Sequence, residues 1–126
     1  MGLARTIAEY EAIGPRSKEF VRRKASWLNA RDRTVGVLAR LSQEALDEFD
    51  MSMSFSRKSG CLLSAKCEKI AEELGEEVST FFALFGIDEV ILGEFYPYRC
   101  MGPRGCIRYP GFYCFSTPND PCNNGD

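Results

Sequence analysis

The sequence predicts an α+β fold: a helical N-terminal body of three to four helices over residues 1–86, then a small Cys/Tyr-rich β-hairpin segment over 87–126. Three observations carry this reading. Apolar residues from Leu3 to Val78 recur at helical spacing. The composition shifts after Phe95: five of the six Pro, four of the six Cys and seven of the fifteen aromatic residues lie between Phe95 and Cys122. Finally, 126 residues that are 44% hydrophobic suffice for a single domain, 1–126, with a real core.

The elements follow in order. Leu3, Ile7 and Tyr10 space a short helix over 3–12, ended at Ile13-Gly14-Pro15. Ser17 can cap a second helix over about 18–31, with Phe20, Trp27 and Leu28 as a narrow apolar stripe beside a basic face. Thr34 is the expected cap of a third, over roughly 35–50, where Val35, Leu38, Leu41, Ala45, Leu46 and Phe49 keep the helical period. Asp47, Glu48 and Asp50 fall near its C-terminus, the unfavourable end of the dipole for a carboxylate, so they face a cation, the basic helix or water. Residues 51–60 read as a linker.

Ser59 can cap a fourth helix over about 60–75, in which Leu63, Cys67, Ile70 and Leu74 form one stripe that Val78 extends. Glu68, Glu72, Glu73, Glu76 and Glu77 form its acidic face, and Gly75 interrupts it. Phe81, Phe82 and Phe85 extend the pattern as helix over 78–85, with a strand as the alternative. Val90-Ile91-Leu92 predicts a strand over 90–96, and 107–109 with 112–115 flank Pro110-Gly111 as a hairpin. The expected core is Phe20, Trp27, Leu28, Leu38, Leu41, Leu46, Phe49, Leu63, Ile70, Leu74 and Val78.

The chain contains no His. That excludes Ser-His-Asp and Cys-His catalysis and any His-ligated metal. No phosphate loop, dinucleotide fingerprint or nucleophile elbow occurs. The adjacent acids Glu72/Glu73, Glu76/Glu77 and Asp88/Glu89 would point about 100° apart on a helix and read as a solvated face. The expectation is a non-enzymatic protein with no catalytic residue, no cofactor and no metal.

Six cysteines permit three disulfides in 15 connectivities that the sequence leaves open. The candidates are Cys61, Cys67, Cys100, Cys106, Cys114 and Cys122. No two stand two to four residues apart, as the knuckle of a zinc site usually requires. On one helix, Cys61 and Cys67 would be about 240° apart and could not bridge each other. The favoured arrangement staples the tail internally and pins it back onto the fourth helix, because a Pro/Gly-rich segment gains order from cross-links. The alternative is buried free thiols in a reducing cell. Disulfides imply an oxidising compartment reached with a signal peptide that has been removed. Met1-Gly2 with Thr6 instead fits the minimal myristoylation pattern and implies the cytosol.

Charge is lopsided. Residues 15–40 hold eight basic against two acidic side chains, and 41–99 hold five against twelve. Arg16, Arg22, Arg23, Lys24, Arg31 and Arg33 form a basic face that could meet an acidic protein, or phosphates in a nucleic acid with Trp27 stacked on a base; otherwise Trp27 is core and the face is solvated. In the tail, Tyr98, Tyr109 and Tyr113 with Arg104 and Arg108 have the composition of a binding hot spot, or cover the helices. No apolar run is long enough to span a membrane. The expected function is a small inhibitor, immunity-type or effector protein that engages an acidic macromolecular partner. A nucleic-acid binder using residues 16–33 is the runner-up, and a His-independent small enzyme comes third.

Overall fold

A computed structural model describes residues 2–33 and 36–125. It is an α+β fold, with a helical N-terminal body and a cysteine-bearing hairpin near the C-terminus. Helices α1 (Ile7–Ala12), α2 (Lys24–Arg33) and α3 (Gln43–Ser52) come first, with a 3-10 turn over Gly36–Arg40. Thr6 Oγ1 accepts from Glu9 N–H, and Ser42 Oγ accepts from Ala45 N–H, both at 3.1 Å. Each satisfies a donor that a first helical turn leaves over.

Helix α2 starts at Lys24 rather than near 18. Ser17 Oγ does accept from Glu19 and Phe20 N–H, at 3.2 and 3.1 Å, but this closes only a turn. The chain then bends inward, and Val21 N–H donates to Leu84 O at 2.8 Å. Leu28, expected in the core, is 42% exposed as a result. The third predicted helix becomes the 3-10 turn plus α3, capped by Ser42; the Thr34 cap lies outside the described residues.

Next come strands β1 (Ser54–Phe55) and β2 (Leu62–Lys66), and helices α4 (Glu68–Leu74), α5 (Val78–Ala83) and α6 (Glu89–Leu92). Strands β3 (Tyr98–Cys100), β4 (Cys106–Arg108) and β5 (Phe112–Cys114) complete the fold. One antiparallel sheet runs β1-β2-β5; β3 and β4 form a separate two-stranded ribbon.

Three sequence expectations fail here. The predicted fourth helix is a strand, then α4. Leu62, Leu63 and Ala65 are fully buried in the central strand, so no polar alternation marks it, and its apolar run mimicked a helical stripe. The predicted strand over 90–96 is helical, because Asp88 Oδ1 accepts from Val90 N–H at 2.9 Å and starts α6. The hairpin across Pro110-Gly111 does not form: β4 pairs with β3, while β5 pairs with β2 in the register Ser64↔Cys114, Ala65↔Tyr113 and Lys66↔Phe112.

The core is aromatic. Trp27, Phe49, Phe81 and Phe85 are fully buried, with ring centroids between 4.6 and 6.0 Å apart. Fully burying one such ring stabilises the fold by roughly 1.5–3 kcal/mol. Phe115 joins the tail to this core, at 4.6 Å from Phe95 and 5.8 Å from Phe82. Leu38, Leu46, Leu63, Ile70 and Leu74 are buried as expected, while Leu41 and Val78 are partly buried. No described helix is long and apolar enough to cross a membrane.

Candidate functional site

The ribbon is held by sulfur. Cys100 and Cys106 face each other across β3 and β4, yet do not bond to each other. Cys100 bonds Cys122, and Cys106 bonds Cys114, each with a Cα–Cα separation of 5.7 Å. The two disulfides abut: Cys100 Sγ lies 3.3 Å from Cys114 Sγ. Ser116 Oγ sits among them, at 3.2 Å from Cys106 Sγ, 3.3 Å from Cys122 Sγ and 3.7 Å from Cys114 Sγ. Internal stapling of the tail is therefore as expected.

Pinning of the tail by Cys61 and Cys67 is not. Both are free and 1% exposed, Cys61 just before β2 and Cys67 just after it. Burial pushes both thiols above their ordinary range, Cys67 furthest, with Glu48 adding to the rise there. Buried neutral thiols are poor nucleophiles. The tail is instead tied down by sheet pairing and by Asp120. This buried carboxylate accepts from Ser56 Oγ at 2.7 Å, from Asn124 Nδ2 at 3.1 Å and from Ser59 Oγ. Thr117 Oγ1 adds a bond to Glu11 Oε1 at 2.5 Å. Asp120 carries no signal in the sequence, since a lone Asp in a loop reads as solvated.

The ribbon presents a mixed surface. Met101, Ile107 and Tyr109 are 43%, 42% and 46% exposed, and Tyr96 stands at 42%. Arg104 and Arg108 are exposed; Tyr98 is half-buried. Arg99 lies over the rings of Phe112 and Tyr109, 4.8 and 5.2 Å from their centroids, which braces the base of the ribbon. Residues 96–116 contain three Arg and no carboxylate. Beside the sulfurs lies a concavity of about 550 Å³, with Arg104, Gly105, Ser116, Thr117, Pro118 and Asn123 among its walls. Met101, Ile107 and Ser116 were not singled out by sequence; Ile107 is placed by the β3–β4 register, and Met101 and Ser116 lie just beyond the ends of β3 and β5.

Other expected contact residues fare differently. Tyr113 is 6% exposed, with its ring 4.5 Å from Phe82 and its hydroxyl pushed up to about 12 by burial, so it belongs to the core. Arg22 is 1% exposed and also leaves the partner-facing set. Its guanidinium donates to Tyr10 O at 2.7 Å, Ser59 O at 3.1 Å, Phe85 O at 3.3 Å and Cys61 Sγ at 3.2 Å, and covers the Tyr10 ring. Arg31 is bound to Asp50 and lies 3.6 Å from Asp47, so α2 meets the acidic end of α3. Trp27 donates Nε1–H to Asp50 at 2.5 Å and is fully buried, out of reach of any base. Arg16, Arg23, Lys24 and Arg33 remain exposed.

No protein-family model matches the chain, and no curated protein or solved structure matches it. The chemistry of the surface must speak for itself. Its sulfur-clamped ribbon carries Arg99, Arg104 and Arg108 and exposes Met101, Ile107 and Tyr109.

Proposed function

We propose that this is a non-enzymatic binding protein of inhibitor, immunity or effector type, whose contact surface is the clamped ribbon of β3 and β4. The partner is a protein with an acidic surface. One observation carries the reading: residues 96–116 hold three Arg without a carboxylate, beside exposed Met101, Ile107 and Tyr109. Arg and Tyr are enriched at binding hot spots, and a rigid contact surface loses less entropy on docking. Two disulfides fit an oxidising compartment, which supports a secreted or otherwise exported protein. The exposed Arg16, Arg23, Lys24 and Arg33 are a second positive region that steers approach.

A photo-crosslinking side chain at position 109, compared with one at Thr80, identifies what docks on the ribbon. Against the protein so recovered, Arg104→Glu with Arg108→Glu should weaken binding by about tenfold or more, with a flatter salt dependence. Identical crosslinks at both positions, or unchanged affinity after the charge reversal, would remove the ribbon from the interface. Generic RNA and DNA, titrated at low salt, test the nucleic-acid alternative. Its loss of Trp27 and Arg22 to the interior leaves it only exposed cations.

A further inference from the structure

The four tail cysteines converge from three separate stretches of chain. Cys100 and Cys106 come from opposed positions on the ribbon, Cys114 ends β5, and Cys122 opens a 3-10 turn. The sulfurs of Cys100, Cys114 and Cys122 all lie within 4.8 Å of one another, and Cys106 is bonded to Cys114. Such convergence exceeds what two independent bridges need. Four thiolates at about 2.3 Å from a tetrahedral zinc ion stand roughly 3.8 Å apart. The unbonded pair Cys100 and Cys114 is already at 3.3 Å. Conversion requires both S–S bonds to open, the paired sulfurs to separate by about 1.6–1.8 Å, and the Cys106 side chain, which lies outside the group of Cys100, Cys114 and Cys122, to turn toward it.

The surroundings suit a metal tetrathiolate. Ser116 Oγ stands 3.2–3.7 Å from three of the sulfurs, where its O–H can donate to a thiolate. Arg99, Arg104 and Arg108 lie on the same ribbon, with no carboxylate between residues 96 and 116 to oppose the 2− charge of the complex. Cys100, Cys106 and Cys122 are partly exposed and the concavity reaches Cys106, so reductant and metal have a way in. The absence of a short Cys pair, which argued against zinc in the sequence, matters less once strand pairing and the 3-10 turn bring the sulfurs together.

We propose that these four cysteines form a redox-gated zinc site: two disulfides when oxidised, one zinc tetrathiolate when reduced. The opening step uses a dithiol. Each protein disulfide accepts two electrons and two protons from one dithiol, giving two cysteine thiols and one cyclic disulfide of the reductant. Zinc then displaces four protons from the four thiols as four Zn–S bonds form. The 3.3 Å contact couples the bridges. A Cys114 thiolate released by opening Cys106–Cys114 is placed to attack Cys100 and expel Cys122 as a thiolate, which moves the remaining bridge to Cys100–Cys114, and a second dithiol then reduces it.

The test uses the full chain with Cys61→Ala and Cys67→Ala, which removes the two buried thiols from the count. The protein is reduced with dithiothreitol, freed of it anaerobically, and titrated with cobalt(II) and then zinc. The expected result is one cobalt per chain, with the visible absorption of tetrahedral thiolate coordination, displaced by zinc. Native mass should show one bound zinc, and zinc should protect all four tail cysteines from alkylation. Cys114→Ser or Cys122→Ser should weaken binding by about a hundredfold or more. The disulfide form should take up no metal. Absence of the tetrahedral spectrum, alkylation unaffected by zinc, or equal zinc uptake by the disulfide form would each overturn the site. If serine variants do not fold, the alkylation pattern of the all-cysteine tail decides.

Discussion

Arg22 shows how a residue's role is set by its surroundings. In sequence it sits in an Arg-Arg-Lys run that reads as a solvated basic face. In the fold it is a bolt joining four places: α1 at Tyr10, the β1–β2 loop at Ser59, Cys61, and the end of α5 at Phe85. Its Nε has no hydrogen-bond partner among the described residues. Replacing Arg22 by Ala takes the guanidinium from two buried carbonyls, of Tyr10 and Phe85, and from the half-buried one of Ser59, and opens a cavity. The expected cost is about 3–5 kcal/mol, read as a lower urea midpoint. Arg23→Ala, one residue along on the surface, should change stability by less than about 0.5 kcal/mol. Equal effects would show that the burial of Arg22 has been misassigned. Periodicity could not have separated the two, because the inward bend at Val21 depends on a carbonyl at Leu84, far along the chain.

At the scale of elements, legibility followed how each segment meets solvent. Helix α3 has one buried stripe, Ala45, Leu46 and Phe49, and one wet face, so its period survives in the sequence. Strand β2 is buried nearly throughout, and its pattern carries no face at all. Helix α6 was hidden because a short run of Val-Ile-Leu outweighed one capping Asp. The Cys/Tyr-rich hairpin was foreseen as a type of structure, but its partners were exchanged, since pairing of β5 with β2 is set by residues nearly fifty positions apart.

The cap of α3 is testable at this scale. Ser42 Oγ caps Ala45 N–H and donates to Glu73 Oε2 at 2.5 Å, while Ser42 N–H donates to Glu73 Oε1 at 2.7 Å. Ser42→Ala should cost about 1 kcal/mol. These bonds to Ser42, the hydroxyl first and the backbone N–H second, hold the Glu73 carboxyl below its usual range. A depressed carboxyl contributes stability that is present above its unfolded pKa and lost as pH falls through the folded value. Thermal midpoints of the wild type should therefore drop more steeply in acid than those of Ser42→Ala. Parallel acid profiles would mean that Glu73 is not held by this cap.

For the whole molecule, two couplings matter. Burial raises the Cys61, Cys67 and Tyr10 pKa values, so the folded chain keeps protons that the unfolded chain releases. Stability is full below the ordinary thiol value of about 8.5 and declines as pH rises from there toward the raised values. Melting temperature should fall above pH of about 9, and fall less in the Cys61→Ala, Cys67→Ala protein. The disulfides act on the tail. They span 22 and 8 residues, and reducing both without metal should cost about 2–5 kcal/mol, seen as loss of protease resistance first in residues 96–125. Uniform resistance after reduction would show that Asp120 and the β2–β5 pairing suffice.

The placement of β2 between β1 and β5 also sets a timetable for synthesis. A ribosome releases β2 and its neighbour β1 together, but the other edge of β2 waits for Phe112, Tyr113 and Cys114. Until then the nascent chain carries an apolar strand with one row of amides and carbonyls unsatisfied, a template for pairing with another copy. The interval is the translation time of almost fifty residues. A message that stalled within the tail would produce a chain whose helices are complete and whose sheet is open, and such products should be the ones that aggregate.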